Sequence, residues 1–596
     1  MPGYPMNTPE ELTGERLYIV RDRSADRWAK IANVYLIASE YLKPAEEVRG
    51  RTYNGTEWLN AILALYPVED FLCALAGLNH AVSNASREPG LVQRYKQIFL
   101  AALPDDIAHS VVNALADIPG RPRRRLISRQ AILRAIHTVL CAKPESHEGA
   151  VADAVAGIDL YVAAIILVHL VAENLGNEKR AEGEPRLGGL SQSLAMEMIS
   201  NQLFNEIPEA GSLLGRSRML WTRYEVQAAA RRPPLEMIQE ALGVEFDDIL
   251  ALAFAYYSKI ISHEPGGSVG IHAFEGIPVD RAIINVFLSR FAVSPEQLAE
   301  QLGNASGAWQ MMPVQDRPLL LLGENVVVLD ETFLLERVTE GLYWLVHDYE
   351  KHNHGEKARL KWTQAYSRMI ECHVEGELRV VAPPLLGGEA STFFTEEDLQ
   401  RAFPGKACDV GVDFGSSCLL VEIVSATMTV ATREHGDVEA FKKDAEKIVV
   451  KKARQLSITA DNLLCAQQPE KSPLLVGAHK IYPVIVRGGH FPFSPITRDY
   501  LFEVLVQENL LTQAGVRPLS LLSLEELEAA VSLYSNRGIS LPDLLDSWHT
   551  SEYRHTNFMF FLASKFGGEN IGREESLENS VAEFKSMILN RLGAGE

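Results

Sequence analysis

The sequence predicts a mostly helical α+β protein: a large all-helical N-terminal region, an α/β domain, and a helical C-terminal tail. Three patterns point to this class. Over about 26–290, apolar residues return at three and four, as in Trp28, Ile31, Val34, Tyr35, Ile37 and Ala38, which is helical spacing. Runs rich in Val, Ile and Leu, bounded by Gly, Ser and Asn, become frequent only after 319. From Leu524 onward helical spacing returns. At 596 residues the chain has room for three to four domains of ~150 residues each, and 47% hydrophobic residues can fill their cores.

Charge and cysteine usage narrow the function classes. A formal charge of -21, from 78 acidic against 57 basic side chains, repels nucleic acid over most of the surface, so any such binding needs a local basic patch. The six cysteines, Cys73, Cys141, Cys372, Cys408, Cys418 and Cys465, show no CxxC pair or metal-ligand spacing and are expected to be reduced and buried. Pro, Glu and Arg interrupt the first 24 residues where a secretory signal needs an unbroken apolar stretch. The longest apolar run, 160–171, is too short to span a bilayer and contains His169. These features lead us to expect a cytoplasmic protein with no membrane association.

The N-terminal region, 1–303, reads as a helical bundle or a stacked-helix array, with polar breaks at 121–125, 176–189, 231–234 and 264–267. No fixed-period repeat occurs in it. The α/β domain is expected over 319–523. Leu319 to Leu329 reads as strand, turn and strand around Gly323-Glu324-Asn325, and Asp330 is placed to cap a helix through Leu334, Leu335, Val338 and Leu342. A helix over 361–377 follows. Next come two short β runs in CDVGVDFGSSCLLVEIVS, 408–425, joined by a Gly-Ser-Ser corner, then a helix over 438–458 and a strand over 480–487. A helix over 495–508, a strand over 517–522 and a capping box at Ser523-Leu524-Glu525-Glu526 complete the domain. The tail, 524–596, is helical with breaks at 536–538 and 567–568.

The hairpin at 408–425 carries the chemistry. Alternation along a strand puts Asp409, Gly411 and Asp413 on one face of the first strand and Glu422 and Val424 on one face of the second, so two acids can converge on one divalent cation. Together with the order helix, hairpin, helix, strand, helix, strand, this hairpin resembles the core of the PD-(D/E)xK, or restriction-endonuclease-like, nuclease superfamily. The resemblance covers roughly a third of the chain. It implies magnesium bound by Asp409 and Glu422, a further acid from the first helix at Glu371, and Asp413 as a reserve ligand. It also implies phosphodiester hydrolysis on DNA or RNA, in defence against foreign DNA or in genome maintenance. Where that pattern has its lysine, this chain has Val424.

The following helix offers a substitute. At 100° per residue, Phe441, Ala445, Ile448, Val449 and Leu456 form an apolar face with Lys452 in its middle. An ammonium within a core stripe needs a carboxylate partner or room to snorkel. Lys452 therefore either meets Asp409 and Glu422 and replaces the missing lysine, or snorkels past the helix edge. Lys443, Lys447 and Lys451 share another face and, with Arg454, form the basic patch that suits a phosphate backbone. Gln455 matches a glutamine found on this helix in RecB-like members, although the tyrosine they carry four residues later is Thr459 here.

Other groups are set aside. His347, His352 and His354 in HDYEKHNH fit a polar loop, His549 and His555 fit structural or interaction roles, and the basic run 121–125 fits a surface loop. The chain has no GxxxxGK[ST] loop and no GxSxG elbow. Three readings stand: a magnesium-dependent nuclease, a nuclease-derived binding or scaffold module that does not cleave, and a helical protein that recognises a protein partner through its N-terminal region.

Overall fold

The computed structural model describes residues 55–83, 89–102, 127, 129–142, 158–174, 186–187, 190–191, 196, 210–223, 230–262, 268–270, 279–303, 311–383, 392–403, 405–465, 480–492 and 495–592. The helix expected around Trp28, the basic run 121–125 and the break at 264–267 lie outside them. Most of the described residues are helical, with small mixed sheets, in keeping with a mostly helical α+β class. Among the described residues no helix is long and apolar enough to cross a membrane.

Helices Val68–Ser83, Arg129–Cys141 and Leu160–Asn174 build one core. Every residue from Val162 to Val168 is at most 1% exposed, so the long apolar run is the centre of a helical packing unit. A second core joins helices Ala210–Arg223 and Phe246–Ser262 to the tail helix Glu575–Arg591. Gly215 makes that contact possible, because a Cβ there would stand 2.6 Å from Val581 Cγ2. The tail therefore closes back on the N-terminal region instead of extending from the α/β unit.

A two-residue hairpin, β1 (Arg186–Leu187) and β2 (Leu190–Ser191), precedes two larger sheets. The first comprises β3 (Ser268–Gly270), β4 (Ala292–Val293), β5 (Leu319–Leu322) and β6 (Asn325–Val328), in the order β3-β6-β5-β4. Its side chains alternate between the two cores: Leu319, Val326 and Val328 face one, Leu320 and Val327 the other. The expected 319–329 hairpin thus forms, but it pairs with strands from before 303. The region 1–303 is not all-helical, and this hairpin does not join the sheet that carries the acids.

The second sheet comprises β7 (Phe393–Thr395), β8 (Val410–Asp413), β9 (Ser417–Val424), β10 (Lys480–Arg487) and β11 (Ser520–Ser523), in the order β11-β10-β9-β8-β7. β7, β8 and β9 form an antiparallel meander, and β9, β10 and β11 run parallel. Six helices matter here: α1 (Glu356–Val381), α2 (Glu396–Ala402), α3 (Val438–Ala445), α4 (Lys451–Cys465), α5 (Pro495–Gln507) and α6 (Leu524–Arg537). One face, with Leu419, Val421, Ile423, Val484 and Val486, shares a core with α1 and α6. The other, with Cys418, Leu420, Val424, Ile481 and Ile485, shares a core with α3, α4 and α5. Cover on both faces explains why β9 is buried at all eight positions and reads as a continuous apolar run. Parallel neighbours need crossovers, and α4 supplies the one between β9 and β10.

A buried ion network ties these layers together. Arg216 donates from Nε to Glu528 Oε1 at 2.6 Å and from Nη2 to Oε2 at 2.8 Å, and His373 of α1 lies 2.9 Å from the same carboxylate. Burial opposes the Glu528 charge, yet Arg216 and His373 hold its pKa down at about 2. Glu377, one turn along α1 from His373, is pushed up to about 9 by burial and by the Glu528 and Glu574 carboxylates. Glu528→Ala leaves the buried Arg216 guanidinium with the 4.0 Å contact to Glu340 as its remaining ion pair, and we expect a loss of about 3–5 kcal/mol in urea denaturation, largely recovered in Arg216→Met/Glu528→Met.

Candidate functional site

The register of the second sheet lines up three acids. Val410 pairs with Val421 and Thr395 with Val410; one further step along each ladder sets Asp409 opposite Glu422 and Glu396 opposite Asp409. Opposed residues share a face, here the one beneath α4. Asp409 is fixed at the entry to β8, where its Oδ2 accepts from the Ile423 amide at 2.6 Å. The preceding Cys408 amide donates to Thr459 Oγ1 at 3.0 Å, and that hydroxyl donates to the Gln455 carbonyl at 3.0 Å. Thr459 therefore fastens the strand that carries Asp409 to α4.

Lys452 of α4 reaches both acids. Its Nζ donates to Glu422 Oε2 and lies 3.4 Å from Asp409 Oδ2. A π-turn at Glu446–Val450 separates α3 from α4 and inserts one residue into the helical ladder just before Lys451. Such a turn rotates the following residues by about 100° relative to a regular helix, and π-turns concentrate at functional sites. Ile448, Val449 and Val450 are all buried across it, with Lys452 entering from the edge of that apolar surface, half-buried.

Glu422 is fully buried, and its Oε1 has no hydrogen-bond partner. Burial first, and then the Asp409 carboxylate, push it up to about 8, while Lys452 works in the opposite direction. An ionised Glu422 leaves a bare oxygen in the interior. Burial opposes the Lys452 ammonium, but Glu422 and Asp409 outweigh it and hold its pKa above the ordinary lysine value. Glu396 begins α2, beside Asp409. Partial burial and Asp409 push its carboxyl up, with Lys452 opposing and Glu371 adding to the rise, and its Oε1 accepts from Gln400 at 2.7 Å.

The remaining expected site residues divide. Glu371 of α1 stands in the electrostatic neighbourhood of Glu396 but is bound by Arg368 at 3.1 Å and is not in contact with the acid pair. Asp413 lies at the far end of β8, about 13 Å along the strand from Asp409, with its Oδ1 accepting from the Gly415 amide at 2.7 Å. It is too distant to share an ion with Asp409. Lys443, Lys447 and Lys451 are exposed and make no ion pair among the described residues. Arg454, in contrast, is taken up by Glu508 at 2.7 Å and by Glu446. Gln455 is half-buried, one turn beyond Lys452.

Two sequence readings need correction. HDYEKHNH is the end of helix Leu342–His354, not a loop, and His354 meets Glu240 and Glu350 with ligand atoms within 4.8 Å of one another. Arg231 already fills that group, donating to both carboxylates at 2.8 Å. Of the cysteines whose side chains are described, all five are free; Cys372, Cys408 and Cys418 are buried, but Cys73 is half-buried and Cys141 exposed.

Two carboxylates on adjacent strands, one presenting an unpartnered buried oxygen, suit a hard cation such as magnesium, which takes one or two carboxylates and keeps several waters. Among known proteins, no family model matches the chain, and neither a curated protein nor a solved structure matches it.

Because Glu422 titrates near pH 8 in the folded protein against about 4.5 in the unfolded chain, the native state holds the extra proton between those values. Its contribution to stability therefore falls as pH climbs through that window and levels off above 8. Thermal melts from pH 6 to 9 should show a steeper decline for the wild type than for Glu422→Gln. Glu377, Glu336 and Glu434, also raised, keep some slope in both, so the difference between the curves isolates Glu422. Parallel curves would contradict this assignment.

Proposed function

We propose that the region from α1 to β11 is a metal-dependent phosphodiesterase module of the PD-(D/E)xK type, acting on DNA or RNA. What carries this reading is the meeting of Lys452 with Asp409 and Glu422, three groups drawn from β8, β9 and α4. The element order supports it: helix α1, the β8-β9 hairpin, crossover helix α4, strand β10, helix α5 and strand β11 follow the order that the resemblance leads one to expect, with β7 and α2 inserted ahead of the hairpin.

In this reading Asp409 and Glu422 would hold a divalent cation, which would supply charge neutralisation at the phosphodiester and acidification of a bound water. Lys452 stays an ammonium at neutral pH, given its raised pKa, so it is a donor and not the general base. Its hydrogen bonds orient a water or a phosphoryl oxygen, replacing the lysine absent at Val424. Glu422 would have to lose its proton to hold the divalent cation, so affinity for it is expected to rise with pH up to about 8. Lys443, Lys447 and Lys451 offer an exposed path for a phosphate backbone. The superfamily resemblance links such an activity with defence against foreign DNA or genome maintenance.

A second reading has an observation of its own. Lys452 already neutralises the acid pair, as a structural ion pair would, which suits a nuclease-derived module that binds without cleaving.

Cleavage of single- and double-stranded DNA and RNA with magnesium separates the two. The enzyme reading expects magnesium-dependent products, abolished in Asp409→Ala and reduced by about 10²–10⁴ in Lys452→Ala. No products on any substrate, with retained nucleic-acid binding, favours the module. Products of equal yield from Asp409→Ala sink the assignment of the site.

A further inference from the structure

Arg487 ends β10 on the same sheet face as Glu422. Ile481 and Ile485 point into the core beneath α4 and α5, and alternation carries Arg487 to that side. Glu422 pairs with Ile485 and Val424 with Arg487, so Arg487 leaves the sheet one strand across and one pleat along from Glu422, about 8 Å away. On its other side it pairs with Ser523 of β11.

Its environment is anomalous for a permanent cation. Arg487 is 3% exposed, its Nε has no partner, and its one hydrogen bond is a 3.5 Å contact from Nη1 to the Gly489 carbonyl. No carboxylate pairs with it among the described residues. Arg129 and Arg216, buried to a similar degree, are held by Asp330 at 2.7 Å and Glu528 at 2.6 Å. A guanidinium does not shed its charge, so burial without a counter-ion is costly unless something anionic arrives.

Position says what arrives. Arg487 stands at the carboxyl ends of three parallel strands, β9, β10 and β11, and ligands of open α/β sheets bind at those ends. The chain turns sharply after it: the Gly488 amide donates to the Val424 carbonyl at 2.7 Å, and Gly489 presses against Thr427, where a Cβ would sit 2.5 Å from Cγ2.

We propose that Arg487 anchors an oxyanion site that takes a phosphate group, one pleat from the acid pair. A phosphate accepting from Nε and a terminal nitrogen supplies the missing charge and replaces the long Gly489 contact. The placement rests on the phosphodiesterase reading, and within that reading the site grips a phosphate neighbouring the one under attack. Binding itself requires no metal and no cleavage.

The test uses the full chain in EDTA, so that loss of cleavage and loss of phosphate binding are separate results. Inorganic phosphate is titrated by thermal shift, and a labelled 12-nucleotide DNA and its RNA counterpart by anisotropy across a salt series. We expect phosphate to raise the wild-type melting temperature, with the rise absent in Arg487→Met and reduced in Arg487→Lys, which keeps the charge but not the fork. We also expect at least tenfold weaker oligonucleotide binding in Arg487→Met and a salt slope lower by about one phosphate contact. A phosphate response lost in the variant with oligonucleotide binding intact assigns the site to free phosphate or a nucleotide; loss of both assigns it to a strand. An unresponsive wild type overturns the proposal, even if the variants fail to fold. Equal responses in wild type and a folded Arg487→Met overturn it too, as does a stabilised Arg487→Met beside an unresponsive wild type, which marks Arg487 as an uncompensated structural cation.

Discussion

A carboxylate in a strand buried at all eight positions sets the constraint around which the α/β unit is arranged. β9 has helices on both faces, so Glu422 is fully buried and its charge is disfavoured, with a cation from the overlying helix opposing that penalty. Lys452 is that cation, and Asp409, opposite Glu422 in the ladder, shares it. Such a trio is expensive compared with an apolar core of the same volume. The fold retains it while leaving Glu422 Oε1 unpartnered, the feature on which the proposed cation site rests.

The rest of the architecture holds that trio still. The Cys408 amide on Thr459 fixes α4 to the start of β8, and the Ile423 amide fixes Asp409 to β9. On the opposite face α1 packs beneath the same strands, with Ser367 Oγ 2.6 Å from Ser425 Oγ. Behind α1, the Arg216, His373 and Glu528 network connects the helix Ala210–Arg223 and α6 to it, so the N-terminal helices and the tail brace the sheet from one side. The Arg129 and Asp330 pair does the same between the first helical core and the smaller sheet.

The candidate site was legible in the sequence where its signal was local. Asp409 and Glu422 stand out because acids interrupt two apolar runs joined by a tight corner. Lys452 stands out because a charge within an apolar helical stripe demands a partner. Capping at Asp330 and Ser523 was readable from side-chain chemistry alone, and both caps form. Glu396 was missed because its place depends on the register of β7, a three-residue strand with too little pattern to detect. The Phe393-Phe394-Thr395 triplet before a Thr395 and Asp398 capping box was the available trace. The engagement of Arg454 by Glu508, the Arg231 clasp on Glu350, and the capture of the 319–329 hairpin by β3 and β4 all depend on residues far apart in sequence. No spacing rule reaches them. The π-turn left no trace in an ideal 100° projection, and burial across three consecutive residues, Ile448 to Val450, is its structural consequence.

The most direct test of the central claim is a double-mutant cycle on stability between Lys452 and Glu422, using Lys452→Met, Glu422→Gln and the pair, at pH 8.5, where the wild-type carboxyl is mostly ionised. The account expects the two sites to be coupled by about 1–3 kcal/mol, with Lys452→Met costing much less in the Glu422→Gln background. Strictly additive effects would mean that the ammonium and the carboxylate do not meet, and the site described here would not exist.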